Sequence, residues 1–146
     1  MSRKWSTLAA VVTAVTLTAT GLSFAADEDS PMHKLMEKVS ANNNAIKKAT
    51  RTTIAYKKAQ KDLTKYADEL IDLGKKSREI KEPAEKEKKP FAEWQTLSDD
   101  FIQKTVAFKG VVANAATTQE QAKKAYTPVA ASCTACHNVF RVEDEK

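Results

Sequence analysis

The stretch YKKAQKDLTKYADELIDL, Tyr56 to Leu73, settles the class of fold. Tyr56, Ala59, Leu63, Tyr66, Leu70 and Leu73 recur at alternating steps of three and four. That is the period of a helix burying one face; a strand would repeat at every second residue. Lys57, Lys58, Lys61, Lys65 and Asp68 fall off this seam and charge the opposite face. The spacing predicts a helix over 53–80, with Gly74 marking a frayed stretch.

The same period recurs on both sides. Upstream, Ser30-Pro31 pairs a capping residue with proline at the first helical position. Met32, Leu35, Met36, Val39, Ile46 and Ala49 then share a face, broken locally by Asn42-Asn43-Asn44. Downstream, Lys81 to Lys89 holds only charged residues besides Pro83 and Ala84 and reads as a solvated connection ending at Pro90, with a docking patch as its alternative. A third helix begins between Phe91 and Ser98, with Ser98-Asp99-Asp100 as its cap, and ends near Ala116; Phe101, Thr105, Phe108, Val112 and Ala115 line one face. Thr117-Thr118-Gln119-Glu120 reads as a capping box for a fourth helix. Its seam is Ala122, Tyr126, Val129, Cys133, Cys136 and Phe140, and Pro128 inside it should produce a kink. No segment alternates as a strand does. Four amphipathic helices with short links predict an all-α fold, an antiparallel four-helix bundle, with Tyr56, Tyr66, Phe101, Phe108 and Tyr126 in its core.

Composition agrees. The chain has 146 residues, 42% hydrophobic and 29% charged, which suits one globular domain. Three glycines and four prolines are too few for the turns of a sandwich or barrel. Two cysteines exclude a disulfide scaffold. Residues 1–25 read as a secretory signal peptide: Arg3 and Lys4, an uncharged run from Leu8 to Leu22, then small residues before cleavage after Ala25 or Ala26. An uncleaved anchor is the alternative, but the run is short and rich in threonine for a spanning helix. Residues 26–146 would then be a single exported domain, periplasmic, with no second apolar run to hold it in a membrane. Taking Arg3 and Lys4 from the net +5 leaves +3, with Lys and Glu interspersed rather than striped, so no nucleic-acid partner is expected.

The chemistry lies in Cys133-Thr134-Ala135-Cys136-His137, a C-x-x-C-H motif that attaches haem c. On a helix the two thiols lie on one face a turn apart, so both can add to the vinyl groups on one edge of a porphyrin. His137 follows directly and can bind iron from below. Three alternatives compete. A thioredoxin-type pair expects a βα context. A disulfide would close a tiny, strained loop. Zinc would find no fourth ligand beyond His33. No acid–base constellation marks an enzyme.

The run Ser132-Cys133-Thr134-Ala135-Cys136-His137-Asn138-Val139-Phe140-Arg141 resembles the C-terminal signature of the class II c-type cytochromes, the cytochrome c-prime family and its low-spin relatives. Lys34 to Lys38 and Asn43 to Lys47 resemble that family's first helix, and Trp94 followed by Phe101 its entry into the third. The chain departs from the family at Met32, where a basic residue often stands, and at Pro128. The resemblance implies one covalent haem c, with thioethers at Cys133 and Cys136 and His137 as proximal iron ligand. It places Met36 where low-spin members carry a ligating methionine and others a residue that only covers the iron. Met36 packing as core, or His33 or Met32 as ligand, are the alternatives. Phe140 would cover the ring, and Arg141, one turn past His137, would lie near the proximal ligand or a propionate. The implied function is single-electron transfer to redox protein partners, with lysines steering an acidic partner; binding of nitric oxide or carbon monoxide is the alternative. The resemblance also implies that a homodimer could form through the first two helices.

Overall fold

The computed structural model describes residues 30–141, and over these the chain is all-helical, with no strand among the described residues. The signal-peptide reading of residues 1–25 lies outside them. Four long helices, α1 (Pro31–Ala49), α2 (Thr53–Arg78), α4 (Phe91–Val112) and α5 (Gln119–Phe140), are joined by short links, with a five-residue helix α3 (Glu82–Lys86) between α2 and α4.

The helix starts follow local chemistry. The Ser30 hydroxyl accepts from the His33 amide, and Pro31 opens α1. Thr52 caps α2 through the Ala55 amide. The capping box of α5 is real but one residue later than expected: Thr118 is the cap and Gln121 its reciprocal partner. Thr117 is instead buried, its hydroxyl donating to the Val111 carbonyl at 2.6 Å. The expected cap at Ser98 is also corrected. Helix α4 starts at Phe91 after Pro90, and Ser98 is buried two turns inside it. Aspartates 99 and 100 had suggested a helix start, but they serve lateral ion pairs, to Arg78 and Lys104. The connection 81–89 is not wholly solvated: α3 buries Pro83 and Ala84, and its Lys86 reaches Glu82 one turn back at 2.6 Å. Helix α5 runs continuously through Pro128.

Helix α2 packs on α1 and α4, and α4 packs on α5. The main core joins Ile46 and Ala49 of α1, Tyr56, Leu63, Ala67 and Leu70 of α2, Phe108 and Val112 of α4, and Ala122, Tyr126 and Val129 of α5. Phe108 and Tyr126 meet edge to face with ring centroids 5.1 Å apart. Tyr66 and Phe101 pack at the margin of this core. Gly74 does not mark fraying. It is buried where α2 meets α4, and a Cβ there would stand 2.8 Å from the Ile102 side chain and 3.0 Å from Phe101. The missing side chain lets the two helices approach.

Candidate functional site

Two side-chain hydrogen bonds fix how α1 runs against α5. Gln119 Nε2 donates to the Thr50 carbonyl at 2.5 Å, and the Tyr126 hydroxyl donates to Asn43 Oδ1. Thr50 to Asn43 is one heptad back along α1; Gln119 to Tyr126 is one heptad forward along α5. The two helices are therefore antiparallel in matched register. One more heptad along each brings Met36 level with Cys133, and one further turn brings Met32 level with His137.

Cys133 and Cys136 sit a turn apart on α5 as free, half-buried thiols. Cys133 Sγ donates to the Val129 carbonyl at 3.4 Å. Cys136 packs against a second apolar cluster of Ala84, Trp94 and Phe140, whose margin also includes Met32, Phe91, Leu97 and Val139. Phe140 is buried with its ring centroid 5.3 Å from that of Trp94 at 87°. Trp94 Nε1 in turn donates at 2.8 Å to the Ser77 carbonyl in the last turn of α2, which also accepts from the Ile80 amide. Phe140 therefore holds the floor below Cys136, and α4 and the end of α2 hold Phe140.

Burial pushes the Cys133 thiol up, with the Lys47 ammonium opposing it. Burial, then the neighbouring Cys133, pushes Cys136 up to about 11. Both are neutral thiols near neutral pH. His137 goes the other way. The residue is exposed, yet partial desolvation on the helix, then the Arg141 cation, lower its pKa. The imidazole is thus biased toward the neutral form, which carries the lone pair a metal needs. Arg141 is exposed and acts through this charge.

Met36 is half-buried and Met32 is half-buried, whereas His33 is exposed and points to Glu37, 3.8 Å away. Among the described residues no group of three or more His, Cys, Asp or Glu side chains gathers as a metal cluster. No described helix is long and apolar enough to cross a membrane.

Sequence reasoning missed three contributors. Trp94 was visible only as a landmark, because its role depends on a carbonyl seventeen residues away. Asn43 looked like an interruption of α1, yet it accepts the bond that sets the register with α5. Ser132, buried with its hydroxyl donating to the Val129 carbonyl, takes a core position that the heptad count had given to Cys133. That one-residue rotation turns both cysteines to the margin of the core, where a second body can reach them. No protein-family model, no curated protein and no solved structure matches this chain.

Proposed function

We propose that this protein is an exported monohaem c-type cytochrome, an antiparallel four-helix bundle that carries single electrons. One observation carries the reading: on α5, two half-buried neutral thiols a turn apart are followed by a histidine biased toward its neutral form; counting one heptad on from the Tyr126–Asn43 bond brings Met36 of α1 to their level. The residues suit a haem c. Cys133 and Cys136 present two thiols at the spacing of the vinyl groups, His137 offers a nitrogen lone pair, and Met36 a thioether.

When bound, the haem supplies a one-electron iron couple. The chain's own residues do the rest. Cys133 and Cys136 would anchor the group covalently through thioethers. His137 would hold the iron through its imidazole, which desolvation and then Arg141 bias toward the neutral form. Met36 would offer its thioether to the iron, and thioether ligation would raise the potential into the range of electron carriers. Phe140, steadied by Trp94, and Met32 keep water from the apolar side of the site. Redox protein partners are the implied clients.

The test is the absorption spectrum of the purified holoprotein, oxidised and reduced, with and without carbon monoxide. A low-spin spectrum with a sulfur-to-iron band, unchanged by carbon monoxide, is expected, and Met36→Ala should convert it to a carbon-monoxide-binding form. A wild-type spectrum that is high-spin and shifts with carbon monoxide would make Met36 a cover only and the protein a gas binder.

A further inference from the structure

A groove of about 290 Å3 lies between the end of α1 and the first half of α5, beyond Tyr126 from the cysteine motif. Lys47 from the last turn of α1, Arg51 from the α1–α2 link and Lys123 from α5 line it, with Thr50, Tyr126 and Thr127 between them. No carboxylate lines it. Four cations elsewhere are held by carboxylates: Arg78 by Asp99 and Glu79, Lys86 by Glu82, Lys104 by Asp100, Lys109 by Asp68. Among the described residues, Lys47, Arg51 and Lys123 have no such ion pair.

The hydroxyl hydrogens of the groove are already spent. Thr50 donates to the Ile46 carbonyl, Thr127 to the Lys123 carbonyl, and Tyr126 to Asn43. The remaining side-chain donors of the lining residues belong to Lys47, Arg51 and Lys123, three exposed side chains at the border of a largely apolar groove. Three like charges around one small groove repel each other unless an anion sits among them. An arginine fork beside two ammonium groups matches a tetrahedral oxyanion, with Arg51 able to hold two oxygens at once. The volume suits a small anion and its water, not a chain segment.

We propose that this groove binds a small, multiply charged oxyanion of the phosphate class, held by Lys47, Arg51 and Lys123. The inference stands apart from the electron-carrier reading, since it needs no haem. It has one consequence for that reading. Lys47 is the cation whose field reaches Cys133, so an anion that neutralises it is felt at the cysteine motif.

The test is titration of the purified chain with inorganic phosphate, at neutral pH and constant ionic strength held with chloride, followed by calorimetry. Saturable binding with a Kd in the millimolar range or tighter is expected. The variant K47Q/R51Q/K123Q should lose at least tenfold in affinity, and K104Q, whose lysine is paired elsewhere, should lose none. Should the triple variant lose helicity, Arg51→Lys keeps the charge, removes the fork and should bind several-fold more weakly. A non-saturating response, or unchanged binding in the variants, would overturn the proposal. Running the titration on haem-free and haem-loaded chains separates the two readings: phosphate binding by a chain that never acquires haem breaks only the cytochrome assignment.

Discussion

The two ends of this molecule are built differently. At the end where the α1–α2 and α4–α5 links meet, Ile46, Leu63, Phe108, Ala122 and Val129 are wholly buried. Long-range hydrogen bonds tie the links themselves: the Tyr56 hydroxyl to the Thr117 carbonyl at 2.8 Å, Gln60 Nε2 to the Ala115 carbonyl at 2.9 Å, and Gln119 to Thr50. At the other end, Met32, Met36, Cys133 and Cys136 are half-buried and His137 is exposed. The first end defines the fold by dense packing and satisfied backbone groups. The second holds chemically capable side chains at the edge of a smaller cluster, where a large apolar partner would bury area worth about 25 cal/mol per Å2.

The sharpest way to break this contrast is to remove the thiols. Cys133→Ala with Cys136→Ala should abolish haem that survives denaturation, read as loss of one haem mass by intact-protein mass spectrometry, while the link end keeps its helices. Haem still attached after denaturation in that variant would end the cytochrome assignment. The converse change is Phe108→Ala. Phe108 is fully buried against Tyr126, so truncation should cost about 3–5 kcal/mol. A lower urea midpoint with unchanged slope would show it, and covalent haem content should stay as in wild type.

How much of this was legible in the chain follows the same division. The α2 seam from Tyr56 to Leu73 was readable because periodicity is a local property, and Tyr56, Leu63, Leu70 and Leu73 are all buried as counted. The C-x-x-C-H spacing was readable as far as its geometry goes: on α5 it sets Cys133 and Cys136 a turn apart. Long-range partners were not. Ser98-Asp99-Asp100 carries the local signature of a helix start, but Pro90 had already opened α4 and α2 supplies Arg78 for Asp99. Gly74 looks like a weak point until Phe101 and Ile102 arrive from α4. Asn43 and Trp94 act through partners on other helices.

A smaller effect tests the hydrogen bonds of the sealed end separately from its packing. Tyr56→Phe keeps the ring in the core and removes the hydroxyl that donates to the Thr117 carbonyl and also meets Gln60, leaving a buried acceptor unpaired. The expected cost is about 1–3 kcal/mol in urea unfolding. A neutral result would mean that water or a shift of the α4–α5 link satisfies that carbonyl, and that packing alone seals this end.

Tyr126 stands between the two ends, and its substitution should have the smallest effect at neutral pH. Its hydroxyl donates to half-buried Asn43, whose amide can turn to water, so Tyr126→Phe should cost about 0.5–1.5 kcal/mol. Its pH dependence is the more telling feature. Burial, then the nearby Cys133, raises the Tyr126 pKa well above that of a free tyrosine. The unfolded chain releases this proton near pH 10 while the folded protein keeps it. Stability from this group is therefore full below about pH 10 and is lost as pH rises further, by at most about 1.4 kcal/mol per pH unit. Phenylalanine cannot ionise in either state. The stability gap between wild type and Tyr126→Phe should accordingly shrink, then reverse, across the alkaline range. Tyr56, also raised by burial, leaves a residual alkaline slope in the variant. Parallel stability curves for the two proteins from about pH 8 to 11 would mean that the Tyr126 ring is not held from water, and that the sealed end stops short of it.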